Sequence, residues 1–149
     1  MSFLYSVNMS NYIHCFGFFK IWSVAKIKYY GRAKVMVNSI TLNENRDFRR
    51  LYRTGKSSVS SMFVLYAKKN RLGINRIGIT SSKKVGNAVM RNRARRVLRA
   101  AYREIETCVD AGWDFVIVAR SRTPACKSTD IAPVLKKQIE TLTKRPKTK

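Results

Sequence analysis

Acidic residues are scarce in this chain. Among 149 residues, 8 are Asp or Glu against 31 Lys or Arg, so the formal net charge is +23 and the isoelectric point lies near 10.7. The acids are Glu44, Asp47, Glu104, Glu106, Asp110, Asp114, Asp130 and Glu140; they form no closely spaced metal-binding group, and histidine occurs once, at His14. A hydrolase made of protein alone needs a general base, an activated nucleophile or a metal cage. The sequence offers poor material for all three, which argues against a protein-only nuclease. Cysteine is equally sparse. Cys15, Cys108 and Cys126 lie far apart with no CxxC spacing, so neither a disulfide framework nor a zinc module is expected, and a reducing, cytoplasmic setting is. Long apolar runs are missing too. Lys20, Lys26 and Lys28 interrupt the aromatic stretch from Tyr12 to Tyr30, leaving nothing near the ~18 residues of a bilayer span. The basic residues of that stretch follow its apolar part, the reverse of a secretory signal, so neither membrane insertion nor export is expected.

What is present is enough for a core: 45% hydrophobic and 11% aromatic residues, at a length suited to one domain. A charge of this size on a small body repels itself unless a polyanion is near, which points to nucleic acid as the partner. Residues 1 to 38 stand apart, with no acid and nine of the sixteen aromatics, and are read as an N-terminal extension, disordered or the product of a start assigned too far upstream. Residues 39 to 149 are read as the folded domain, and a chain begun at Met36 is expected to fold and function as well as the whole.

Within that domain, Asn43 or Asn45 is expected to cap a helix with Phe48, Leu51 and Tyr52 on its apolar face and an end at Gly55. Ser60–Ala67 and Arg76–Ser81 read as strands that pair as neighbours, with Gly78 where another backbone could approach. A long helix follows from Gly86 and Asn87 to about Thr107, then a strand over Asp114–Arg120. A last helix starts near Thr129 or Asp130, with Pro133 in its first turn.

The long helix carries the strongest signal. At 100° per residue, Arg91, Arg95, Arg99, Asn92, Arg103 and Arg96 fall within an arc of roughly 140°. Met90, Ala94, Val97, Leu98, Ala101 and Ile105 form a separate apolar arc expected to face the core. Arginines repeating at i+4 with no acid between them cost a few tenths of a kcal/mol per pair, a repulsion that a phosphate backbone offsets. Lys83 and Lys84 precede the helix, whose first N–H groups suit a phosphate.

The run Lys83-Lys84-Val85-Gly86-Asn87-Ala88-Val89-Met90-Arg91-Asn92-Arg93-Ala94-Arg95-Arg96 closely resembles the signature of the bacterial ribonuclease P protein component, whose centre is Arg-Asn-Arg. The likeness extends to Asn45–Phe48 with Tyr52 and Gly55, to Phe63–Tyr66 and to Phe115–Arg120, covering about residues 40 to 145. It implies an α/β (α+β) two-layer sandwich of the ribosomal protein S5 domain 2-like type. The implied order is α-β-β-β-α-β-α with a short strand around Ser57–Ser61, and with a left-handed β-α-β crossover against the general right-handed rule.

The resemblance also implies a function: the protein subunit of ribonuclease P, an endoribonuclease that removes the 5′ leader from precursor tRNA. No catalytic residue or cofactor is then expected on the protein, and Mg²⁺ is expected to be held by RNA. Lys84, Arg91, Asn92, Arg93, Arg95, Arg96 and Arg99 are implied to contact the catalytic RNA, and Phe48, Tyr52 and Tyr66 the single-stranded leader. Expected partners are that RNA and precursor tRNA, with no small-molecule substrate. The competing reading is a general RNA-binding protein of ribosomal or nucleoid type with no processing role.

Overall fold

The structure is a computed structural model that describes residues 36 and 38–144; His14, Cys15, the aromatic stretch and the rest of residues 1–35 lie outside them. Among the described residues the elements run β1 (Ser39–Thr41), α1 (Asn45–Thr54), β2 (Lys56–Val59), β3 (Phe63–Lys69), β4 (Asn75–Ser81), α2 (Ala88–Ile105), β5 (Trp113–Ala119) and α3 (Ser128–Thr143). The expected order gains one strand, β1. Three residues are too few to show an alternation, which is why the sequence pattern does not reveal it. The short strand expected near Ser57 is β2.

The strands form one sheet in the order β1-β4-β5-β3-β2. β4 runs parallel to both β1 and β5, while β3 is antiparallel to β5 and to β2. β3 and β4 are therefore not neighbours, contrary to the sequence reading, because β5 lies between them. The physical reason is burial: Phe115, Val116 and Ile117 are all fully buried, so this run needs cover on both faces and takes the centre of the sheet.

Alternation along the strands separates two apolar layers. Phe63, Leu65, Ile77, Phe115 and Ile117 face α2 and α3, meeting Ala94, Leu98, Tyr102, Ile131 and Leu135 in the main core. Val116 points the other way into a smaller cluster with Leu42 and Leu51, joined by the half-buried Phe48, Tyr66 and Val118. Helix α1 lies on this second face. Tyr102 ties α2 to β1 through a 2.9 Å hydrogen bond between its hydroxyl and that of Ser39. Burial pushes the Tyr102 phenol up to about 12, against the lowering effect of that hydrogen bond.

The starts of α1 and α3 depart from expectation. Glu44, rather than Asn43 or Asn45, occupies the cap of α1, its carbonyl accepting from the backbone N–H of Asp47 at 3.0 Å. Helix α3 begins at Ser128, so Pro133 sits inside it instead of in the first turn. The donor it lacks would have met the carbonyl of Thr129, which is exposed at the helix start.

One polar cluster fastens α1 to the sheet. Arg76 on β4 donates to both oxygens of Asp114 on β5, at 2.7 and 2.6 Å, and to Asp47 of α1 at 2.9 Å. Arg50 of α1 bridges Asp47 at 2.9 Å and Asp114 at 3.2 Å, and the Asn70 amide donates to Asp114 at 2.7 Å. The Asp114 side chain is 1% exposed. Burial alone would raise its pKa, but the hydrogen bonds from Arg76 and Asn70 and the charges of Arg76 and Arg50 outweigh it and hold the carboxyl below the usual range. The Arg76 guanidinium is raised in turn, chiefly by its hydrogen bond to Asp114.

A folded-state pKa below the unfolded value means that Asp114 contributes stability in full above the ordinary aspartate value near 4. That contribution is lost as the pH falls through the folded value. Asp114→Ala should lower unfolding free energy by about 3–5 kcal/mol at neutral pH, the usual cost of stranding a buried partner, and should flatten the loss of stability below about pH 4. Denaturant titrations at several pH values check this; an Asp114→Ala protein with wild-type stability and the same acid limb would contradict it.

Candidate nucleic-acid interface

The approach to α2 is built for display. A single 3₁₀ turn at Lys83–Val85 buries Val85 and leaves Lys84 exposed. Gly86 follows at φ +128°, a conformation L side chains rarely adopt. Asn87 then caps the helix, its side-chain oxygen accepting from the Met90 N–H at 2.9 Å. The helix begins at Ala88, one or two residues after the expected start.

The buried stripe of α2 is Ala94, Leu98, Ala101, Tyr102 and Ile105. Met90 does not join it, contrary to the sequence reading: Met90 is 44% and Val89 74% exposed, since burial along α2 begins only at Ala94. The arginines from Arg91 to Arg99 divide into three sets, and Arg103 beyond them is half-buried. Arg91 turns back and donates to the Gly86 carbonyl at 2.6 Å, bracing the loop. Arg93 points to another side, its Nε donating to the Pro124 carbonyl at 2.7 Å. Arg95 and Arg96 are exposed and Arg99 half-buried on the remaining face, with the Arg95 guanidinium hydrogen-bonded to the Asn92 side chain. The single basic face expected from the helical wheel is thus a surface around Asn92, Arg95, Arg96 and Arg99, flanked by two guanidiniums committed to backbone carbonyls.

The three aromatics singled out for the leader do come together. The Tyr52 and Tyr66 rings meet edge to face with centroids 5.1 Å apart, and the Tyr52 hydroxyl is 3.2 Å from that of Thr80. The Phe48 ring lies over Gly78 so closely that a Cβ there would overlap it. It is a side chain, rather than another backbone, that requires this glycine. Tyr52 is 42% exposed, whereas Phe48 and Tyr66 are half-buried and help close the smaller core.

A cavity of about 570 Å³ joins Phe48 to the exposed α2 arginines. Its lining includes Phe48 with Leu42 and Asn43 on one side and Arg95, Arg96 and Arg99 on the other. β1 pairs only with Asn75–Ile77, so the cavity opens where that strand ends and α2 arginines can approach the α1 side of the sheet. Leu42, Asn43 and Thr80 were not foreseen, because their place depends on β1 and on a sheet order that no local pattern reveals.

The acids take no part in this surface. Asp47 and Asp114, the carboxylates the fold draws together, are filled by guanidiniums and an amide, so they do not fit a metal ion. Among the described residues no group of three or more His, Cys, Asp or Glu could hold one.

The ribonuclease P family profile matches residues 36–145. The ribonuclease P protein component of Clostridium botulinum (strain Langeland) is 40% identical over 95 residues, covering 63% of this chain and 86% of that protein. Its counterpart from Clostridioides difficile (strain 630) is 40% identical over 105 residues, covering 70% and 89%. Among solved structures, the Staphylococcus aureus RNase P protein superposes with a TM-score of 0.61 at 30% identity, over 69% of this chain and 94% of that one. The Thermotoga maritima protein does so with a TM-score of 0.62 at 25% identity, over 70% and 98%. A profile match across most of the chain and the shared α+β architecture lead to one assignment: the chain belongs to the ribonuclease P protein family.

Proposed function

We propose that this subunit grips the catalytic RNA with α2 while the α1 face of the sheet holds the precursor's 5′ leader. As a ribonuclease P protein component it is part of an endoribonuclease holoenzyme for tRNA 5′ processing. The observation that carries the division of labour is the cavity in which Phe48 and the α2 arginines Arg95 and Arg99 meet. A strand leaving the aromatics meets guanidiniums within the same opening. Aromatic faces accept any base, as a leader of variable sequence requires, and the guanidiniums beside them are those that hold the catalytic RNA.

In this reading Lys84, Asn92, Arg95, Arg96 and Arg99 contact the catalytic RNA directly, Arg91 and Arg93 do so from braced positions, and Phe48, Tyr52 and Tyr66 take the leader. Hydrolysis of the phosphodiester is left to the RNA. Mg²⁺ would be held there and no cofactor by the protein, a view supported by the filling of Asp47 and Asp114 by cations. The partners are the catalytic RNA and precursor tRNA, met in the cytoplasm, with no small-molecule substrate. Membrane contact is no part of this reading, and no described helix is long and apolar enough to cross a membrane. The same reading takes the sandwich as the ribosomal protein S5 domain 2-like type with a left-handed β4-α2-β5 crossover.

Tyr52→Ala is the cleanest test of the leader site, because that side chain is exposed and its loss leaves the core intact. It should weaken binding of precursors with a leader of several nucleotides by about 1–3 kcal/mol and leave mature tRNA unaffected. Gly78→Ala should have the same selectivity by displacing the Phe48 ring. Holoenzyme affinities for both RNAs check this, and equal losses for precursor and mature tRNA would return these aromatics to a purely structural role.

Arg95→Ala and Arg99→Ala should each weaken binding to the catalytic RNA and make its salt dependence shallower by roughly one unit or less. Thermal unfolding should be little changed. A lowered melting temperature with an unchanged salt slope would contradict a phosphate contact.

A further inference from the structure

We infer that the groove between α2 and the N-terminal end of α3 is a slot for one unpaired base of the catalytic RNA. The inference rests on the holoenzyme reading above and names what the groove beside Asn92, Arg93 and Arg96 takes from that RNA.

Helix α2 has a third side, away from the face toward Phe48 and bordering the core stripe at the half-buried Val97, which packs against the main core. Val89, Val97 and Ala100 fall within about 80° of each other on the helix, and Val89 is 74% exposed. They form the apolar floor of a groove of about 570 Å³ whose rim carries Arg93, Arg96 and Lys127. That volume is in the range of sites for small ligands. Phosphate contacts alone would not account for an apolar floor, and no residue lining the groove is acidic. An apolar slot edged by three cations suits a flat heteroaromatic ring carried on an anionic backbone.

Two details favour RNA over another occupant. The Arg93 Nε is held by the Pro124 carbonyl at 2.7 Å, which sets the guanidinium plane at the groove edge before any ligand arrives, and a fixed plane is what stacking on a base needs. Asn92 and Arg96 line both this groove and the cavity beside Phe48. RNA bound along the arginine face can therefore enter the groove without leaving the surface. The α3 N-terminus adds no anion site of its own, because Asp130 accepts from the Lys127 N–H at 3.1 Å and places a negative charge there. The attraction comes from the three side chains on the rim.

The test uses the full-length protein and a bacterial ribonuclease P RNA, measuring the dissociation constant across a salt series. Ala100→Trp fills the groove without changing charge and should weaken binding roughly tenfold or more, as loss of one stacked base does, with the salt slope unchanged. Val89→Ala, at an exposed position that cannot unfold the chain, should weaken binding severalfold with the same unchanged slope and melting temperature. Wild-type affinity in both variants, with the wild-type protein binding normally, overturns the slot alone. A weakened affinity with a shallower slope overturns it as well, by assigning the loss to phosphate contacts. Failure of the wild-type protein to bind the RNA overturns the holoenzyme reading and the slot together.

Discussion

The clamp of Arg76 and Arg50 around Asp114 and Asp47 governs the placement of everything on the α1 face. It is the point at which α1, β4, β5 and the turn after β3 are joined by charged hydrogen bonds. The apolar area beneath α1 is small: Leu42, Leu51 and Val116 with three half-buried neighbours. Hydrophobic burial is non-directional, so such a cluster alone would tolerate sliding of the helix. Bidentate pairing of a guanidinium with a carboxylate is directional. It holds Phe48 over Gly78 and sets Tyr52 against Tyr66, and the aromatic surface exists only in that position.

The clamp also decides where positive charge is left over. Two of the few acids are consumed by arginines of α1 and β4, and the ion pairs among the described residues are made by Arg46, Arg50 and Arg76. On α2, Arg91 and Arg93 are instead positioned by backbone carbonyls and Arg95 by Asn92, contacts that orient a guanidinium without neutralising it. The fold thus spends these acids on structure and keeps the α2 cations for an outside polyanion.

Much of this is legible in the sequence where local chemistry decides. The end of α1 at Gly55 and the apolar run Phe115–Ala119 within β5 follow from single residues or short runs. The aromatics of α1 and β3 and the arginines of α2 follow from side-chain type and helical spacing. What escapes is set by distant pairing. β1 is too short to show a period, and β5 separates β3 from β4 because it alone needs cover on both faces. Gly78 reads as room for a backbone, while the structure gives that room to the ring of Phe48, thirty positions away. The helical wheel puts Met90 with the core since it cannot show where along the axis burial begins. Nor does it show Arg91 and Arg93 reaching carbonyls of Gly86 and Pro124, the second of which belongs to a turn far along the chain.

The central claim is that the protein supplies binding surfaces and the RNA supplies the chemistry. The most direct measurement is cleavage of a precursor tRNA in Mg²⁺ by the full-length protein, with and without a bacterial ribonuclease P RNA, at a salt concentration where the RNA alone is slow. The account predicts no cleavage by the protein alone, and with the RNA a mature tRNA bearing a 5′-phosphate at a rate that rises with added protein. Metal-dependent cleavage by RNA-free protein in proportion to its concentration, or a rate with the RNA that the protein does not change, would contradict it.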